Sequence, residues 1–196
     1  SIIMGSVFGL IDLSYPKKLW NQSKDEFMVL LITFLITLGV GIVEGILIGV
    51  LLSLLLMVYR TSKPHFAVLG KIKGSDYYKN ISRFGDEAEV RSDLLIVRFD
   101  SQLYFGNLGY FKSELFKFIN VKGRSLKAVI LNAEAINYID ASASAMLINV
   151  IEEIHNRNIE FYIAGATGPI RDIIFKSGII NCLHKEYLFV KIKEAV

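Results

Sequence analysis

The sequence predicts an α/β domain preceded by transmembrane α-helices, and three observations carry that expectation. An apolar run with a single charge occupies Phe27 to Tyr59. A polar stretch containing glycines and Pro64 follows it, and the proline forbids simple continuation of a helix. From Ser92 onward short apolar segments alternate with amphipathic ones, the pattern of strands and helices in an α/β sheet. The overall 53% of hydrophobic residues averages over these unlike parts.

As one continuous helix, the run from Phe27 to Tyr59 would extend roughly 50 Å, against a hydrocarbon core of about 30 Å. It can break at Gly39-Val-Gly-Ile-Val-Glu-Gly45, since glycine weakens a helix interior and a carboxylate is costly at mid-bilayer. Lys17, Lys18 and Lys24 precede the run, and Arg60 and Lys63 follow it. Cations on both flanks place both ends in the cytoplasm, which requires a hairpin. Helices are therefore expected over Phe27–Leu38 and Ile42–Tyr59, turning near Glu44 on the outer side. Glu44, the one ionisable residue of the run, is a candidate intramembrane functional group; the alternative is that it reaches water or caps a helix start. Gly41, Gly45 and Gly49 form a small-xxx-small spacing that permits close helix approach, within one subunit or between two. Residues 1–13 read as the end of an earlier span, and Tyr15 to Glu26, with Trp20 and its lysines, as an interfacial stretch. The apolar opening has neither an initiator Met nor a signal-peptide n-region, so a longer protein is expected.

The expected layout is membrane segments over 1–59 (hairpin 27–59), a connector over 60–91 and a soluble domain over 92–196. Within the last, Leu94–Phe99 and Gln102–Phe105 read as strands, and Leu108–Ile119 as a helix with Leu108, Phe111, Leu115 and Phe118 on one face. Ala128–Asn132 reads as a strand buried on both faces. Ser142–Arg157 is the clearest helix, with Leu147, Val150, Ile151 and Ile154 at helical spacing. Ile159–Ala164 is the next strand, and Pro169–Ser177 a short helix with proline in its first turn and Gly178 just beyond its end. Tyr187–Phe189 and a final short helix close the chain.

Several function classes find no support. From Ser92 onward 12 Lys and Arg face 11 Asp and Glu, with no basic stripe or zinc-finger spacing, so nucleic acid is not an expected partner. Cys182 stands alone, which excludes an internal disulfide, and His65, His155 and His184 lack ligand spacing, so no metal is expected. Gly165-Ala-Thr-Gly168 is too short for a phosphate loop and lacks its lysine. With no nucleophile–base constellation, neither an enzyme nor a cofactor is expected.

The order of elements, together with Ser53-Leu-Leu-Leu, Tyr59-Arg60, Ser62-Lys-Pro-His65, Leu69-Gly-Lys-Ile-Lys-Gly74, Ser75-Asp-Tyr-Tyr78, Leu103-Tyr-Phe-Gly-Asn107 and Ile139-Asp-Ala-Ser142, resembles the carboxyl-terminal part of the sulfate permease (SulP) anion transporters. The soluble part then resembles their STAS domain, shared with anti-sigma-factor antagonists. The resemblance implies a small mixed β-sheet with helices packed mainly on one face. It implies secondary transport of an inorganic anion of the sulfate or bicarbonate class, in a multi-pass cell membrane, by a homodimer with cytoplasmic STAS domains. The anion site would lie upstream of Ser1, between half-helices, so no substrate-binding residue is expected in this chain. Candidate partners at the STAS domain are a regulatory protein or a nucleotide. The alternative is a membrane-anchored signalling module of the antagonist type.

Five residues of the domain stand out. In soluble STAS regulators a serine just after the aspartate at this position is phosphorylated, and Ser142 matches it; Ala141 and Ala143 depart from that pattern. A phosphate there would gain from the N–H groups of a helix start. The other reading is that Asp140 or Ser142 is an N-cap. Tyr104 and Phe105 are candidates for packing on membrane helices or on a second domain, the other reading being ordinary core packing for at least one of them, and Asn107 is a candidate for capping the helix that begins at Leu108.

Overall fold

The computed structural model describes residues 14–183 and 185–196, so the expected span end at 1–13, and His184, lie outside the described residues. The chain divides after Arg60 into two compact units.

The first unit contains α1 (Ser14–Gln22), α2 (Lys24–Gly39) and α3 (Ile42–Ser62), the last of these running on to its end in the second unit. Ser23 is extended and caps α2, its hydroxyl accepting from the Glu26 amide at 3.5 Å. Asp25 and Glu26 occupy the first turn, where the helix dipole favours acids. The chain reverses at Val40–Gly41, as the expected break at the glycines requires. The two long helices meet at glycines: a Cβ on Gly45 would lie 2.0 Å from Thr37 Oγ1, and one on Gly49 2.8 Å from Thr33 Oγ1. Gly45 and Gly49 are thus used inside the hairpin. At its open end Arg60 pairs with Glu26 at 2.5 Å and donates to Ser23 Oγ at 2.7 Å. Leu47, Val50, Leu54 and Val58 leave much of α3 apolar and uncovered. Among the described residues α3 is the one helix long and apolar enough to cross a membrane, with mean hydropathy 2.5. At 16 residues α2 is short for a full span.

The second unit is built on one seven-stranded mixed sheet. Its strands are β1 (Phe66–Ile72), β2 (Tyr78–Asn80), β3 (Ala88–Glu89), β4 (Leu94–Phe99), β5 (Ala128–Asn132), β6 (Glu160–Ala164) and β7 (Leu188–Phe189), in the spatial order β2-β1-β4-β5-β6-β7 with β3 beside β1. β1 is antiparallel to its three neighbours, and β4 to β7 are parallel to one another. A short α4 (Ile81–Phe84) joins β2 to β3. The longer helices α5 (Leu108–Lys122), α6 (Ala141–His155), α7 (Gly168–Lys176) and α8 (Ile179–Leu183) follow the parallel strands.

Alternation divides the strands between two apolar layers. Leu95, Val97 and Phe99 of β4, Val129 and Leu131 of β5, and Phe161 and Ile163 of β6 join Phe111, Leu115, Leu147 and Ile151 in the main core. Leu69, Ile96, Ile130 and Ala164 face the other way, where α9 (Ile192–Ala195) is, among the described residues, the helix that brings a buried residue, Ile192. The helices therefore lie mainly on one face, as the resemblance implies.

Two expectations are corrected. Residues 60–91 are no mere connector, because they supply β1, β2 and β3, and β1 is an interior strand with Ala67, Val68 and Leu69 buried. Gln102–Phe105 is not a strand: only Leu103 forms a bridge, with Ile139, and the chain then turns into α5.

Candidate functional site

The parallel strands β4, β5 and β6 end on one side of the sheet; the segment leaving β4 carries Tyr104 and Asn107, the one leaving β5 carries Asp140, and Ser142 lies in the first turn of α6. Asp140 has extended backbone angles (φ −82°, ψ 174°) and is the N-cap of α6. Its Oδ1 accepts from the Ala143 amide at 2.7 Å, filling one of the N–H groups that a helix start leaves open. Its Oδ2 reaches another element and accepts from the Phe105 amide at 2.9 Å. Backbone bonds run alongside, from the Leu103 amide to Tyr138 O at 2.9 Å and from the Asp140 amide to Leu103 O at 3.1 Å. Ser144 is buried and donates from Oγ to Asp140 O at 3.0 Å.

Asn107 occupies the N-cap position of α5 without capping it through its side chain, contrary to expectation. That side chain turns back instead. Its Oδ1 accepts from the Tyr104 amide at 3.1 Å and its Nδ2 donates to Gln102 O at 2.9 Å, with a longer contact to Thr61 O at 3.5 Å. At 1% exposure the amide must satisfy its own polar atoms, and closing this loop does so. Tyr104 donates from its hydroxyl to Thr61 Oγ1 at 2.8 Å. Ser142 is exposed in the first turn of α6. Two residues bonded into the same loops are exposed aromatics, Phe105 at 76% and Tyr138 at 51%.

The structure thus brings together five of the six residues singled out. Glu44 lies in the first unit, in the first turn of α3, with its carboxylate folded over Gly41. Sequence reasoning did not single out Thr61 or Tyr138. Nor did it find a charged cluster on the same edge, where Arg98 donates to Asp100 at 2.5 and 3.0 Å and His65 Nδ1 lies 2.9 Å from Asp100 Oδ2. An Arg-x-Asp pair closing a strand was the available signal. Burial pushes the Asp100 carboxyl up, but bonds from Arg98 and His65 outweigh it and hold it below the usual range. Burial raises the Cys182 thiol above its ordinary value, and Glu152 adds to the rise. Among the described residues no group of three or more His, Cys, Asp or Glu is placed to hold a metal.

The STAS domain model matches residues 87–195, and the chain belongs to that family. All of the chain aligns with Sulfate transporter 4.1, chloroplastic, of Arabidopsis thaliana, at 33% identity over 30% of that protein, and with Sulfate transporter 3.2 of the same plant at 28% over 31%. The chain therefore spans about a third of the length of these relatives. In fold it is similar to murine Solute Carrier 26 family member A9, an anion transporter in the inward-facing state, with a TM-score of 0.83 and 21% identity over 93% of this chain and 30% of that one. The hairpin-plus-domain order of elements is thus shared with a transporter of known structure.

Proposed function

We propose that the chain is the carboxyl-terminal part of a secondary transporter for inorganic anions of the sulfate or bicarbonate class. The observation that carries this reading is the similarity to sulfate transporters over all of the chain, hairpin as well as domain. In it, α2 and α3 lie in a cell membrane with their glycine-lined contact inside the hairpin and their apolar outer faces toward lipid or other helices. The second unit is then cytoplasmic, serves assembly and regulation of a homodimer, and carries out no catalytic step. Anion binding belongs to upstream segments, and Glu44 at the hairpin turn is a helix-start acid. The edge around Asp140 and Ser142 is the surface for a regulatory protein or a nucleotide. A phosphate on exposed Ser142 would bring about two negative charges to that edge.

The test is uptake of labelled sulfate and labelled bicarbonate by the full-length parent in proteoliposomes, with and without residues 63–196. The cut belongs there because one at residue 92 would strand β1 to β3. Uptake that falls on truncation supports a permease controlled or assembled by its domain. No uptake of either anion by folded intact protein would sink the reading.

A further inference from the structure

We propose that Asp140 is a latch: its single carboxylate fastens the 102–107 loop to the start of α6, and the fastened loop in turn holds Thr61, where the chain enters the domain. The inference rests on the regulatory reading of this edge and adds a device by which a signal there would be passed on.

The geometry is specific. Both carboxylate oxygens are engaged by backbone amides on different elements, Ala143 in α6 and Phe105 in the loop. Bonds from amides to an ionised acceptor are among the stronger ones. The loop has no strand ladder of its own beyond the Leu103–Ile139 bridge. Its shape depends on side chains: Asn107 ties Tyr104 to Gln102, and the Tyr104 hydroxyl and the Asn107 amide both reach Thr61. Thr61 lies in the last turn of α3. One carboxylate, one loop and one threonine thus form a continuous chain of polar contacts.

Such a chain becomes a switch when its central charge is opposed. A negative group on Ser142, two residues along the same helix start, repels the Asp140 carboxylate and competes for the same first-turn amides. The Phe105 amide, on an exposed residue, then exchanges its carboxylate for water at little cost. The loop loosens and its hold on Thr61 weakens.

Hydrogen exchange of the chain in nanodiscs tests this independently of transport, so failure here leaves the permease reading standing. Asp140→Asn keeps an oxygen to cap Ala143 but turns an amide donor toward the Phe105 N–H. Peptides spanning residues 101–109 and 58–66 should both exchange about five-fold faster, the factor a single lost hydrogen bond supplies. Those spanning β5 and β6 should not change. Faster exchange at 101–109 with 58–66 unmoved, or no change at either, overturns the latch. Where Asp140→Asn loosens the core strands as well, Tyr104→Phe decides, since it removes only the hydroxyl bonded to Thr61. Acceleration confined to 58–66 supports the proposal, and unchanged exchange there overturns it.

Discussion

Gly45 presses its bare backbone against Thr37, so closely that a Cβ on the glycine would lie 2.0 Å from Oγ1 and 2.9 Å from the Thr37 Cα. The threonine is held in place, its hydroxyl donating to Thr33 O at 2.8 Å. Backbone on one side and a tethered side chain on the other leave no soft partner to give way. Gly45→Ala should therefore push α2 and α3 apart and cost about 1–3 kcal/mol, the usual range for overpacking. Gly39→Ala, where nothing lies within 4 Å, is the matched control. Titration with a denaturing detergent, followed by helical circular dichroism, should show a lower midpoint for Gly45→Ala alone. Equal midpoints would mean that the hairpin contact contributes nothing.

The position of β1 sets where the soluble domain begins. It pairs with β4 from Phe66↔Phe99 to Leu69↔Ile96 and places Val68 in the main core and Ala67 and Leu69 in the second layer. A protein cut to residues 92–196 loses that neighbour and exposes one edge of β4 along its length. The 61–196 piece should unfold cooperatively in urea, whereas 92–196 should show a broad, non-cooperative transition or aggregate. Matching sharp transitions for the two pieces would show β1 to be dispensable.

That strand also marks where reading from sequence reached its limit. Leu94–Phe99 and Ala128–Asn132 were legible because interior parallel strands are continuous apolar runs with little else to be. Ser142–Arg157 was legible because four aliphatic residues recur at helical spacing. Phe66–Ile72 was hidden: its apolar core is short, Gly70 and Lys71 interrupt it, and Pro64 beside it reads as a linker. Gly70 is there because β3 crosses close by, a Cβ at this position falling 2.9 Å from Glu89 O. At the candidate site the same limit applies. That a cap lies in the run Asp-Ala-Ser-Ala was legible, with Asp140 and Ser142 both open as the capping residue, and the structure gives Asp140. Its bond to Phe105 joins residues 35 apart in sequence, and so does not show in any local pattern.

Exposed and buried aromatics should part company when truncated. Phe99 and Phe111 pack edge to face at 5.2 Å, both fully buried. Phe111→Ala should cost about 3–5 kcal/mol in urea unfolding of the chain, through lost contacts and the cavity left behind. Phe105→Ala should move stability by no more than about 0.5 kcal/mol, since its ring is mostly in solvent. If Phe105 serves partner binding, its loss will appear in a binding or transport assay and not in the unfolding curve. A large stability loss from Phe105→Ala would show that the ring is packed in solution.

Acid should weaken the domain in part through Asp100. Its carboxyl is held below the usual range, since bonds from Arg98 and His65 outweigh the upward push of burial. A group whose folded pKa is depressed contributes stability that is fully present above its unfolded value of about 3.9. That stability is lost as pH falls through the folded pKa, where both states bind the proton. Asp100→Asn should thus be less stable than the parent at about pH 7, and the gap between the two urea midpoints should close as pH drops below about 4. His65 also touches the Asp100 carboxylate, so the comparison should be repeated with His65→Gln in both backgrounds. A gap between the Asp100 proteins that stays constant with pH in the His65→Gln background would mean that the Arg98–Asp100 pair supports the strand end by shape alone, without the linkage its geometry implies.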